Sequence, residues 1–264
     1  MTMNLKKIVT PIVLILFIVL NASTDFNLYG DTKTPKTPTG KDIFDKTLAA
    51  LGGIEKTSTV KTLKYTMETL RYLENGSGTE IMKCIAVIVY PDKYWYQSEA
   101  MGYIALITTN GQKGWQRLIQ ANDPNANVPY VVLPERDTKD LQNYNLRDLF
   151  YISQNLDKYT FTFNGEKDFE GKKTFELLVN GLYKFQLFID PQTYLPAGMI
   201  YWATSQADPE SIENKEIYSD YKAVEGILIP FKQDLFAKGK KWAEVTIKDL
   251  KFNVEVSADF FDGK

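Results

Sequence analysis

The sequence predicts an α+β, mainly β protein: a strongly curved antiparallel sheet or open barrel with helices on one side. Three observations carry this. Ten or more short runs alternate apolar and polar residues with a period of two, as strands with one buried face do. Short turns rich in Gly, Pro, Asn and Asp separate them, so the connections suit an antiparallel meander. Only two stretches break the pattern with helical spacing, one before the first strand and one in mid-chain.

In chain order, Lys6 and Lys7 precede an apolar run, Ile8 to Leu20, interrupted by Thr10 and Pro11. Asn21-Ala22-Ser23 then offers small residues for cleavage. This pattern predicts a secretory signal peptide over 1–23, cut after Ala22 or Ser23. An uncleaved anchor is the alternative, but the run falls short of the roughly 20 residues a span needs. Residues 24–40, dominated by Thr, Pro, Gly and Lys, read as a flexible linker, and 41–264 as a single domain without internal repeats. No cysteine lies near the cleavage site, so the mature chain is not expected to be a lipoprotein itself.

Lys41 to Leu51 is the clearest helix. Ile43, Phe44, Thr47, Leu48 and Leu51 form one stripe, Thr39 or Asp42 can cap the start, and Gly52-Gly53 ends it. Strands follow. Leu63, Tyr65, Met67, Thr69 and Arg71 share one face, Asn75-Gly76-Ser77-Gly78 forms a hairpin turn, and Ile81 to Tyr90 is apolar on both faces. Further strands are Lys93 to Glu99, Tyr103 to Thr109 and, after the turn at Asn110-Gly111, Gln112 to Leu118. Pro134 to Leu156, with Leu141, Tyr144, Leu149 and Phe150 at helical spacing, suits one or two short helices and is the natural lid.

Alternation resumes in Tyr159, Phe161 and Phe163, then Phe175, Leu177 and Val179, then Tyr183, Phe185, Leu187 and Ile189, then Leu195 to Trp202. Tyr218 to Phe236 is a hairpin turning at Glu225-Gly226, with Ile227, Ile229, Phe231 and Leu235 on one face. Pro230, which donates no backbone hydrogen bond, belongs there on an edge or at a bulge. In Trp242 to Phe252, Ala243, Val245 and Ile247 share a face before the apolar set shifts to Leu250 and Phe252, which points to a bulge.

Composition narrows the function. The chain has no histidine, which removes Ser-His-Asp and Cys-His catalysis and the usual zinc sites. Its single cysteine, Cys84, lies in an apolar run and reads as a small buried hydrophobe. A formal charge of −2 leaves no basic footprint for nucleic acid. The acids Asp168, Asp190, Asp220 and Glu225 sit beside turns, where carboxylates are common for backbone reasons. No phosphate loop, metal cluster or nucleophile motif is present, so neither an enzyme nor a cofactor is expected.

The motif order resembles that of the LolA-like outer-membrane lipoprotein-sorting proteins. The likeness rests on Leu48-Ala49-Ala50-Leu51-Gly52-Gly53-Ile54-Glu55, Tyr90-Pro91-Asp92-Lys93-Tyr94 and Asn110-Gly111-Gln112-Lys113-Gly114-Trp115. It continues through Phe169 to Leu177 and Ile189 to Pro196, and is most characteristic in Tyr218-Ser219-Asp220-Tyr221 with Gly226 to Phe231. These are turn-and-strand motifs in the expected order over most of the mature chain, and none is catalytic. The resemblance implies an unclosed β barrel with a helical lid, in a soluble, monomeric periplasmic protein. That protein would carry the acyl chains of lipoproteins or lipids toward the outer membrane, between donor and acceptor proteins at the two membranes. The alternative is an envelope-stress or assembly factor that uses the fold as a protein-interaction or lipid-sensing module.

An acyl chain left in water costs about 0.8 kcal/mol per methylene, so a carrier must offer a dry cavity. The apolar row residues expected to line it are Tyr65, Met67, Phe161, Phe163, Phe175, Tyr183, Phe185, Ile227, Ile229 and Phe231. Arg71, a charge on the apolar face of its strand, needs partners and is the expected lid latch.

Overall fold

The computed structural model describes residues 37–73, 78–203, 211–257 and 259–263. The expected signal peptide, nearly all of the expected linker, and Asn75, Gly76 and Ser77 of the first hairpin turn lie outside them. The sheet and its helices belong to the unit Pro38–Lys264.

The first element among the described residues is helix α1 (Gly40–Leu51), which starts one residue earlier than the apolar stripe suggests. Both capping residues act: the Thr39 hydroxyl accepts from the Asp42 N–H, and the Asp42 carboxylate accepts from the Thr39 N–H. Ile43, Phe44, Thr47, Leu48 and Leu51 are buried along it. Gly52, at φ 128°, ends it and leads into the short α2 (Ile54–Thr57).

Five strands follow as a meander: β1 (Thr62–Tyr72), β2 (Thr79–Val89), β3 (Lys93–Ala100), β4 (Tyr103–Asn110) and β5 (Gly114–Gln120), with the short β6 (Val131–Val132) at the edge. Helices α3 (Glu135–Leu146) and α4 (Leu149–Gln154) then interrupt the sheet. Seven more strands complete it: β7 (Thr160–Phe169), β8 (Lys172–Asn180), β9 (Phe185–Ile189), β10 (Pro196–Ala203), β11 (Ile212–Val224), β12 (Ile227–Ala237) and β13 (Lys240–Phe252).

The thirteen strands of the described residues form one antiparallel sheet, ordered β6-β5-β4-β3-β2-β1-β13-β12-β11-β10-β9-β8-β7. The last strand returns to pair with the first, so two meanders join at β1–β13. The terminal strands β6 and β7 do not pair with each other, and the barrel is unclosed.

Local chemistry sets the register. The β11–β12 turn is Glu225-Gly226, with φ of 51° and 77°. Two positive values in a two-residue loop match the right-handed strand twist, which explains the glycine. Pairing of β1 with β13 passes from Thr66↔Asp249 to Met67↔Ile247, leaving Lys248 as the extra residue of a bulge. That is where the apolar alternation of β13 changes phase. β12 pairs with β13 from Lys232↔Thr246 to Ala237↔Lys240 and stops before Pro230, which pairs on its β11 side. A residue without an N–H thus sits where β12 loses one neighbour.

The inner face of the sheet is covered in two halves. Over β7–β10, α1 packs Ile43, Phe44 and Leu48 against Leu177, Val179, Phe185, Leu187 and Ile189. Phe44 stacks on Phe161 with ring centroids 4.0 Å apart. The contact is close enough that a Cβ on Gly40 would lie 2.2 Å from the Phe161 carbonyl oxygen. Over β1–β4, β12 and β13 the cover is the α3–α4 pair, whose Tyr144 and Phe150 meet a second cluster around Leu63, Ile88, Ile247 and Leu250.

Candidate functional site: a lidded apolar cavity

Under α3–α4 lies a cavity of about 500 Å³. Its sheet wall is built from inward-facing rows: Leu63, Tyr65, Met67 and Thr69 of β1, Met82 and Ile88 of β2, Tyr94 and Tyr96 of β3, and Val245, Ile247 and Leu250 of β13. Leu228, Ile229, Pro230 and Leu235 of β12 continue it, and Leu141, Tyr144, Leu149 and Phe150 form the roof. Trp242, at the rim, lines the cavity and is 40% exposed.

One wall is polar and built around the joint between the two lid helices. Arg147, only 7% exposed, points its Nη2 at Glu216 Oε1 of β11, 3.3 Å away. The Tyr218 hydroxyl donates to the other Glu216 oxygen at 2.8 Å. The guanidinium lies 3.8 Å from the Tyr201 ring centroid and 4.6 Å from that of Tyr144. Burial works against its charge, but Tyr201 and Glu216 outweigh that and the arginine stays protonated. The lid is thus held to the sheet by a desolvated ion pair reinforced by aromatic faces.

Next in sequence, Asp148 caps α4 by accepting the Phe150 N–H at 2.8 Å. It is also among the residues that line the cavity. Burial pushes its carboxyl up to about 6, against the pull of the Phe150 N–H and of Arg147. The Tyr90 hydroxyl is buried beside it, short of strict hydrogen-bond geometry, and burial raises Tyr90 as well. The roof is tied down elsewhere by Gln142 to the Gly111 carbonyl and by Gln154 to the Val60 carbonyl, at 2.8 and 2.7 Å.

No protein-family model matches the chain, and no curated protein matches it. Solved structures do. A LolA superfamily protein from Nitrosomonas europaea superposes with a TM-score of 0.54 at 10% identity, over 85% of this chain and 98% of that one. A DUF1329 family protein from Desulfovibrio piger superposes at 0.51 with 15% identity, over 85% and 98%. The chain has the LolA-like fold. At these identities the likeness is one of fold alone.

Within this LolA-like fold, the expected cavity residues divide. Tyr65, Met67 and Ile229 line the cavity. Phe161, Phe163, Phe175 and Phe185 of β7–β9, with Tyr183 of the β8–β9 connection, belong to the cluster under α1, and the helix covers them there. Ile227 and Phe231 pack into the second cluster beside the cavity rather than on its lining. Arg71 requires a correction. Its Nη2 pairs at 2.8 Å with Glu80, its register partner on β2, and the side chain is 43% exposed, so it ties two strands near the rim and not the lid. The arginine that joins lid to sheet is Arg147, contributed by the lid itself. Sequence reasoning missed it because one charge in the polar stretch Asn143 to Asp148 has no alternation to stand against. The available signal was Asp148 directly before Leu149-Phe150, which reads as an N-cap and places the joint.

Proposed function

We propose that this chain is a periplasmic carrier that shelters an acyl chain of a lipid or lipoprotein on its way toward the outer membrane. The observation that carries the reading is the apolar cavity of about 500 Å³ beneath the α3–α4 lid, whose joint is pinned to the sheet by Arg147 and Glu216. That volume falls in the range of about 300–1,000 Å³ used for small-molecule sites. The lid and the cargo would contact the same sheet rows, so cargo entry exchanges one apolar contact for another at little net cost. No helix among the described residues is long and apolar enough to cross a membrane. We place the chain in the periplasm on its N-terminal sequence, as a monomer that meets donor and acceptor proteins at the two membranes.

The test is to purify the mature protein from its native envelope under non-denaturing conditions and identify what accompanies it by mass spectrometry. Recovery of stoichiometric acylated molecules is expected. Recovery of protein partners without any acylated species would favour the interaction-module reading instead.

A further inference from the structure

We infer that the cargo site takes a single acyl chain ending in a carbonyl group, ester or carboxyl, with Arg147 as the donor that fixes that end. The inference rests on the carrier reading and names its substrate class.

The first argument is capacity. A cavity of about 500 Å³ lies in the lower half of the range of about 300–1,000 Å³ that sites for one small molecule occupy. That suits one chain; the anchor of a triacylated protein would need about three times the space. The trough could have been larger, but α1 fills the half over β7–β10 with its own Ile43, Phe44 and Leu48.

The second argument is polarity. A site for hydrocarbon alone needs no buried charge, and desolvating one is costly. Here a guanidinium only 7% exposed lines an otherwise apolar chamber. It has five N–H donors, and its hydrogen bond within the protein is the one from Nη2 to Glu216. None of its nitrogens is sealed away without a partner. Arg147 lines the chamber, so it is a donor that an entering oxygen can meet. The oxygens already beside it, on Glu216 and Asp148, bring negative charge to the same wall. Free phosphate or a second carboxylate would meet that repulsion, whereas a carbonyl oxygen accepts a hydrogen bond without adding a full charge. An ester satisfies this directly, and a fatty acid satisfies it in its protonated form.

The experiment uses the delipidated mature protein and native mass spectrometry with four probes: hexadecanoic acid, a C16 lysophospholipid, a dipalmitoyl phospholipid and a triacylated lipopeptide. Expected is one molecule of either single-chain probe per protein, with weaker binding of the other two. Arg147→Met with Glu216→Gln removes the arginine without stranding a buried carboxylate. It is expected to weaken both single-chain probes roughly tenfold more than a hexadecane-based fluorescent probe, the worth of one charged hydrogen bond, because loss of the lid tether acts on all three alike. Thermal melting checks that the double variant is folded. If it does not fold, Arg147→Gln with Glu216→Gln, which puts a neutral donor in place of the charged one, replaces it, with a several-fold loss of both single-chain probes relative to hexadecane expected.

Tighter binding of the triacylated lipopeptide, or equal loss of hexadecane and acid in the variant, would overturn the inference and leave the carrier reading standing. Failure of all four acyl probes to bind would overturn both.

Discussion

At the scale of single residues, the joint of the lid concentrates the unusual electrostatics. Burial raises Asp148 from 3.8 to about 6. An acid whose folded pKa is raised binds more protons folded than unfolded between those values, so stability falls as pH rises through that window. Keeping the carboxylate charged at neutral pH then costs up to about 3 kcal/mol. Asp148→Asn keeps an acceptor for the Phe150 N–H. It should stabilise the protein at pH 7 by roughly 2–3 kcal/mol and flatten the dependence between about pH 4 and 6, read by urea unfolding across that range. Arg147 and Glu216 behave differently, because removing one leaves the other charged and buried. Arg147→Met alone should cost about 3–5 kcal/mol, and adding Glu216→Gln should recover most of it in a double-mutant cycle.

At the scale of elements, α1 shows what a sequence can and cannot disclose. Its stripe, its glycine stop and both caps are legible in order, because each is local chemistry. Thr39→Ala should therefore cost about 1 kcal/mol by denaturant titration. Gly40→Val tests the packing instead. A Cβ there meets the Phe161 carbonyl, so the helix must lift and the Phe44–Phe161 stack must open. A loss of about 1–3 kcal/mol with a changed near-ultraviolet dichroism is expected. The phase change in β13 is likewise local, and its bulge falls at Lys248, between Ile247 and Leu250. What alternation does not report is the occupant of a face. Phe161, Phe163, Phe175 and Phe185 read the same from sequence whether a guest or α1 covers them, and here it is α1. Arg71 and Arg147 show the same limit for polar residues: which carboxylate each one meets depends on pairing register and lid placement, both long-range.

At the scale of the molecule, one half of the sheet, over β7–β9, is packed solid by α1, and the other, where β1–β3 meet β10–β13 under the lid, is hollow. The hollow half accounts for the expected response to ligand. An acyl probe at about 100 times its Kd should stabilise the fold by about 2.7 kcal/mol, visible as a shifted urea midpoint. Leu250→Trp, on the cavity side of β13, should fill the space of two to three methylenes and weaken binding roughly 15- to 60-fold. The same change under α1 has no such space to fill, and a Leu187→Trp control should unfold the protein rather than alter its affinity.

The presence of α1 in the trough has a consequence best put in terms of competition. The helix is an intramolecular ligand: it occupies the same kind of apolar groove that a cargo chain would, and its tether keeps it at a standing local concentration that no free lipid matches. Loading more cargo cannot displace it. On the carrier reading proposed above, capacity is then a property of the covalent structure, set when the chain folds and insensitive to supply. A variant released from that limit would have to weaken α1 itself, trading fold stability for room.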